Sequence, residues 1–329
     1  MSDALTAPAR RRRPAESPPK ETGPWPWLDR GGRFSAFKAA VLAGCVAPGL
    51  WLAYRWWMNL LGPEPFLATT RITGDWTIYF LLISLAVTPA RWIFDEVRVL
   101  QVRRMLGLAA LGYALVHLLL YVGNENWRLV HVLVEIVKRS YLSVGIVALI
   151  GLCVLGWTST DGWLKRLGKE WKILHRVAYG LTALGILHFF MQSKIRIDMP
   201  VLMAGFFLWL MLWRAMPSTW RLRWWPLLPL AVLAAFGAAA LEWAWYATQT
   251  KVPASRVLAA HWDWYALQDL DFRPAMHVLL WGVLLAGAAA GWRVMKRLRP
   301  APVAAPSPDV RARRAARRAA REAAAGEAV

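Results

Sequence analysis

WKILHRVAYGLTALGILHFFMQSK, residues 171–194, is the stretch on which the reading of this chain turns. It is long enough to cross a bilayer and carries two histidines, His175 and His188. A lone histidine in an apolar helix is ordinarily a hydrogen-bonded core residue. Two in one lipid-length segment ask for more, because an ionisable side chain inside hydrocarbon is costly and marks a functional site by default. Neutral imidazole is also a common axial ligand to haem iron. A third histidine, His117, lies deep in a second apolar segment, LGLAALGYALVHLLLY, residues 106–121. Imidazoles on two helices are the minimum for gripping a haem from both faces.

The 329 residues are 57% hydrophobic, include 22 Trp, and carry a net charge of +20 with histidine neutral. Apolar excess and strong basicity are reconciled by where the charges sit. They cluster at the two ends and between apolar runs, the pattern of a polytopic membrane protein. Nucleic-acid binding, the other reading of a basic chain, is set aside because the Lys and Arg residues flank lipid-length runs and share no folded face. The two cysteines, Cys45 and Cys153, lie in apolar runs and have no spacing for a disulfide framework or a thiolate metal site. Arg11–Arg13 are followed by a Pro-rich stretch and not by an apolar core, so neither a cleaved signal peptide nor a twin-arginine signal is expected.

In order, residues 1–35 read as a disordered basic cytoplasmic arm. Apolar spans follow at about 37–58, 76–92, 105–122, 141–157, 171–194 and 200–216, with two more at about 227–245 and 276–294. The stretch LGPEPFLATTRITGD before the second span reads as a loop. GNENWRLVHVLVEIVKRS, between the third and fourth, is polar and apolar by turns and reads as an interfacial helix. An aromatic string, His261-Trp262-Asp263-Trp264-Tyr265, lies between the last two spans, and residues 298–329 form a basic tail. The fold expected is all-α, a polytopic membrane helical bundle. The arm, the loop at 91–104, the loop at 165–172, the link holding Arg214, Arg221 and Arg223, and the tail all fall on one face if all eight spans cross. By the positive-inside rule that face is cytoplasmic, and both termini with it.

The third and fifth spans then run in the same direction. His117 lies about fourteen residues into the third and His188 about sixteen into the fifth, which puts both ~20–24 Å up, toward the outer leaflet. They are level and would ligate one haem between them. His175 lies ~20 Å below His188 by the same rise, level with Arg103 or Arg104 and with no histidine opposite. A 13-residue step does not keep His175 and His188 on one helix face; Gly180 and Gly185 would permit a bend. His131, His261 and His277 are read as structural or surface residues.

The ordered set TG (73–74), TPAR (88–91), RRMLGL (103–108), ALVHLLLY (114–121), RSYLSVG (139–145), TST (158–160), RLGKEWKILHRVAY (166–179) and HFFMQSK (188–194) resembles the MsrQ (YedZ) family, haem-binding membrane subunits of a periplasmic methionine-sulfoxide reductase system. The resemblance runs from about 71 to 213. It implies a six-helix ferric-reductase-like core at 36–216 holding b-type haem and FMN, with haem histidines at His117, His175 and His188. It also implies electron transfer across the bacterial inner membrane to the periplasmic molybdenum-cofactor enzyme MsrP. Two-haem relatives have a further histidine where this chain has Arg103, which favours one haem. The arm, and an extension at 217–297 with two extra C-terminal transmembrane helices, have no counterpart in the shorter members.

No Gly-rich dinucleotide fingerprint is present, so a cytoplasmic flavin reductase or the quinone pool is the expected donor, and no catalytic substrate site of the chain's own is identified. Arg103, Arg104, Lys165 and Arg166 form a basic rim able to hold a flavin phosphate, or simply to anchor the protein in the anionic leaflet. Two other functions are consistent with the residues. One is a quinol-oxidising b-type cytochrome serving another partner; the other is a transporter or scaffold whose histidines are structural. The inverted repeats and mid-membrane charges of a transporter are not apparent.

Overall fold

The computed structural model describes residues 25–29, 31–193, 196–261, 272–298 and 316. Most of the arm, the aromatic string after His261, and the tail beyond Leu298 apart from Ala316 lie outside them. The described residues are helical, with one isolated bridge between Leu28 and Phe34. They contain eight helices long and apolar enough to cross a membrane. The chain divides into two units. The first, Met1–Gly287, holds everything discussed below; the second, Ala288–Val329, begins within the last helix.

In chain order the helices are α1 (Ala36–Trp57), α2 (Pro65–Phe94), α3 (Arg103–Asn124), α4 (Leu129–Lys138), α5 (Ser140–Trp157), α6 (Asp161–Leu167), α7 (Glu170–Leu174), α8 (Val177–Gln192), α9 (Asp198–Ala215), α10 (Ser218–Arg221), α11 (Leu227–Gln249), α12 (Ala254–Ala260) and α13 (Pro274–Leu298). A 3₁₀ turn, Val97–Val102, links α2 to α3. The end of the bundle carrying this link and α6 is called the basic end here; the opposite end, with α4, is the far end.

α2 begins eleven residues before the second span expected from the sequence. Pro65 occupies its first turn, where the missing N–H costs nothing. The polar look of TTRITGD misleads because the threonine hydroxyls are satisfied within the helix. Thr69, Thr70, Thr73 and Thr77 each donate to the carbonyl four residues back, at 2.6–2.9 Å. Such back-bonding lets buried threonine sit in a helix without an unmet polar group. Further along, Pro89 removes the N–H that the Leu85 carbonyl would accept. Arg214 of α9 replaces it: Nη2 donates to Leu85 O at 2.6 Å and Nη1 to Leu210 O at 2.8 Å. The proline defect thereby becomes the tie between α2 and α9.

The segment read as one fifth span is broken. α7 ends at Leu174, His175 and Arg176 lie between, and α8 starts at Val177. The interruption falls at His175 and Arg176, both still in right-handed helical backbone conformation, and not at Gly180 or Gly185. α4 is amphipathic as expected: Arg128, His131, Glu135 and Lys138 recur at polar helical spacing, while Leu129, Val130, Leu133 and Val137 are at least 61% exposed on the other side.

Candidate haem site

α2, α3, α5 and α8 enclose a cavity of about 320 Å³ whose wall includes both His117 and His188. α3 brings His117 to it and α8 brings His188; the ring centroids stand 6.2 Å apart with planes at 87°. Each ring is oriented by the neighbouring helix. His117 Nδ1 donates to the Thr70 carbonyl at 2.8 Å and His188 Nδ1 to the Tyr141 carbonyl at 2.8 Å. A carbonyl only accepts, so Nδ1 carries the proton in both rings and Nε2 is the lone-pair nitrogen. A backbone carbonyl on the second nitrogen is the usual way a metal-binding imidazole is fixed in tautomer and direction.

Two glycines make room for these rings. A Cβ at Gly74 would stand 3.1 Å from Cε1 and Nδ1 of His117; one at Gly145 would stand 2.9 Å from the same atoms of His188. The halves of the site correspond residue for residue. Both hydrogen bonds span 47 residues, and the second set is the first displaced by 71 positions (70 to 141, 74 to 145, 117 to 188). Reading the sequence by histidine depth alone missed this duplication, along with the role of the glycines; the fixed displacement was the signal available.

Two imidazoles at this separation could hold an iron between them. Two metal–nitrogen bonds of about 2 Å, plus the ring radii, bring ring centroids to roughly 6 Å apart, matching the separation present. The mostly apolar wall suits a macrocycle. His117 and His188, read from the sequence as level, lie side by side on the wall of one cavity.

His175 does not line this cavity. Its ring stacks on Trp171 at 3.8 Å, Nδ1 lies 3.1 Å from the Trp171 carbonyl, and Nε2 lies 3.4 Å from Ser159 Oγ. Arg103 and Arg104 are near enough for their charge to act on it. The 71-residue displacement pairs His175 with Arg104, so the duplication supplies no second imidazole at that level.

The four rim residues are at the basic end but are not equivalent. Arg104 pairs with Asp161 at 2.6 Å, and Arg166 stacks over Trp163 at 5.2 Å. Lys165 is exposed, and the Arg103 carbonyl accepts from Ser84 at 3.4 Å. Arg104 also borders a larger cavity, about 1350 Å³, between α1, α2 and α3. Asp29 lies at its edge, with the backbone N–H of Arg33, and that of Gly31, holding its carboxyl below the ordinary carboxylate range. A flavin phosphate at this rim is left chiefly Arg103 and Lys165.

Of the remaining histidines, His131 lies 3.4 Å from Glu125 at the far end, and His277 meets the edge of Phe272. His261 is buried, its Nε2 2.9 Å from Oε2 of Glu242. Glu242, on α11, is fully buried and also meets Arg273 at 3.1 Å; Arg273 in turn lies 3.8 Å from Asp198. The sequence reading did not single out Glu242, although it is the lone charge in LLPLAVLAAFGAAALEWAWYATQ and a charge in such a run calls for a named partner.

Residues 73–186 match the family described as ferric reductase like transmembrane component. Among curated proteins, the chain is 40% identical over 199 residues to the protein-methionine-sulfoxide reductase heme-binding subunit MsrQ of Rhodospirillum rubrum, covering 59% of this chain and 92% of that one. It is 36% identical over 182 residues to the subunit of the same name from Caulobacter vibrioides, covering 53% and 84%. The corresponding Xanthomonas euvesicatoria protein is 38% identical over 188 residues, covering 54% and 85%. No solved structure matches the chain.

Proposed function

Since the chain belongs to the MsrQ family of haem-binding subunits of protein-methionine-sulfoxide reductase, we propose that it is a membrane electron-transfer subunit holding one b-type haem between His117 and His188. The observation that carries this reading is the pair of imidazoles, 6.2 Å apart, each with Nδ1 tied to a backbone carbonyl and Nε2 left for a metal. Bound haem supplies one-electron chemistry. The chain's own contribution is to hold and shield it: two carbonyls fix the rings, two glycines admit them, and the apolar wall keeps water away.

His175 is outside the pair in this proposal and sits on the side from which electrons enter. Electrons pass from a cytoplasmic flavin reductase or the quinone pool, at the basic end, to the haem nearer the far end, and from there to the periplasmic sulfoxide reductase MsrP. The basic loops support an inner-membrane orientation with both termini cytoplasmic. FMN, which the family resemblance implies, would find its phosphate contacts at Arg103 and Lys165. Residues 36–216 form the haem core in this scheme, and 217–297 are an addition to it.

Purified protein should show a low-spin, six-coordinate b-type haem spectrum. A folded, colourless preparation from haem-replete cells would overturn the proposal.

A further inference from the structure

The cavity between His117 and His188 is apolar except toward the far end, where Arg71, Asp75, Glu125 and Arg139 reach its wall. Three of these four charges have an explanation or a modest cost. Arg139 forms an ion pair with Glu135, four residues back, and its Nη1 lies 3.3 Å from the Tyr141 hydroxyl. Glu125 faces His131. Asp75 can take up a proton and become neutral, the usual escape for a carboxyl removed from water. Arg71 has no such escape, because a guanidinium stays charged in any protein environment. It lies within membrane-spanning α2, one residue beyond Thr70. Asp75, one turn along the same helix, is placed to pair with it. Even so, among the described residues no carboxylate comes within ion-pair distance of Arg71. Arg71 is exposed and borders this cavity, so its guanidinium stands at the cavity edge and can meet the counter-charge of a ligand.

We propose that Arg71 is the seat for a propionate carboxylate of the haem, with Arg139 flanking it, and that this contact turns the acidic edge of the macrocycle toward the far end of the bundle. The proposal rests on the haem reading above. The chemistry is specific: an apolar ring bearing carboxylates matches an apolar cavity with an arginine at one rim, and the planar guanidinium fork is suited to a carboxylate. Arg71 lies one helical turn from Gly74, which cradles the His117 ring, so ligand and counter-ion are presented by neighbouring turns of one helix. The competing role is that Arg71 extends along the helix to a lipid phosphate, and the test separates the two.

Apo-protein prepared from haem-deficient cells is titrated with haemin and with haemin dimethyl ester, in which both carboxylates are masked, following the Soret band. Wild type should bind the free acid at least about tenfold more tightly than the ester, the scale of one charge-assisted contact. Arg71→Leu and Arg71→Gln should each reduce that preference to about threefold or less, and Arg71→Lys should keep most of it. A wild type that binds acid and ester equally overturns the proposal without needing any variant. So does an Arg71→Leu protein that keeps the full preference, which would assign Arg71 to lipid. A wild type giving no Soret band with either form overturns the haem reading itself, a distinguishable result.

Discussion

His117 and His188 each spend Nδ1 on a carbonyl of a neighbouring helix and keep Nε2 for the cavity between them. His261, more deeply buried than either, spends Nε2 on Glu242, and Arg273 closes the other side of that carboxylate. The first pair is built around space and the second cluster around mutual neutralisation. Under the proposed function, what separates the two kinds of histidine is which nitrogen is committed and whether room is left beyond the other. Residue type is the same in both places, and the more buried ring is the structural one. His175 makes the same point at the basic end, where both nitrogens have partners and Trp171 covers the ring.

The largest effects that follow concern the pair. His117→Ala and His188→Ala should each lower the haem-to-protein ratio, by pyridine haemochrome assay, by at least about tenfold, beyond the loss seen for second-shell changes at metal sites. His175→Ala should retain haem. If His175→Ala loses haem while His188→Ala keeps it, the two levels have been assigned the wrong way round.

Next in size, Glu242→Ala removes the buried partner of His261 and leaves Arg273 only Asp198 at 3.8 Å, and should cost about 3 kcal/mol of stability, the lower end for a broken buried pair. Thermal unfolding in detergent, followed by circular dichroism, measures this, and the haem spectrum at low temperature should not change. A spectral shift as large as that of a ligand variant would show that the cluster and the haem site are one system.

The smallest effects belong to the glycines. Gly145→Ala forces a methyl against His188 and should weaken haem retention by about 1–3 kcal/mol, the usual range for overpacking. Gly74→Ala should cost less, since its Cβ would meet His117 at 3.1 Å and not 2.9 Å. Haem-transfer rates to an apo-globin acceptor rank the two; the reverse order would mean that the His117 ring is the less free to yield.

Much of this was legible beforehand for a simple reason: hydrocarbon tolerates few choices. Eight apolar runs, their alternating basic loops and the level placement of His117 and His188 all follow from the rise of a helix and the cost of charge in lipid. Where the reading slipped, polar residues were satisfied locally. The threonines of α2 looked like a loop because their hydroxyl bonds to Pro65, Phe66, Thr69 and Thr73 are invisible in a list of residue types.

The sequence by itself determined the helices, their order and which histidines stand level, because these depend on hydropathy and spacing along one chain. Only the tertiary structure decided what each histidine touches. That depended on contacts between residues far apart in the chain: Thr70 with His117, Tyr141 with His188, Glu242 with His261, and Arg214 with the carbonyl that Pro89 leaves open. A hydrogen bond is short and directional, so no periodicity reveals which distant carbonyl a ring nitrogen will meet.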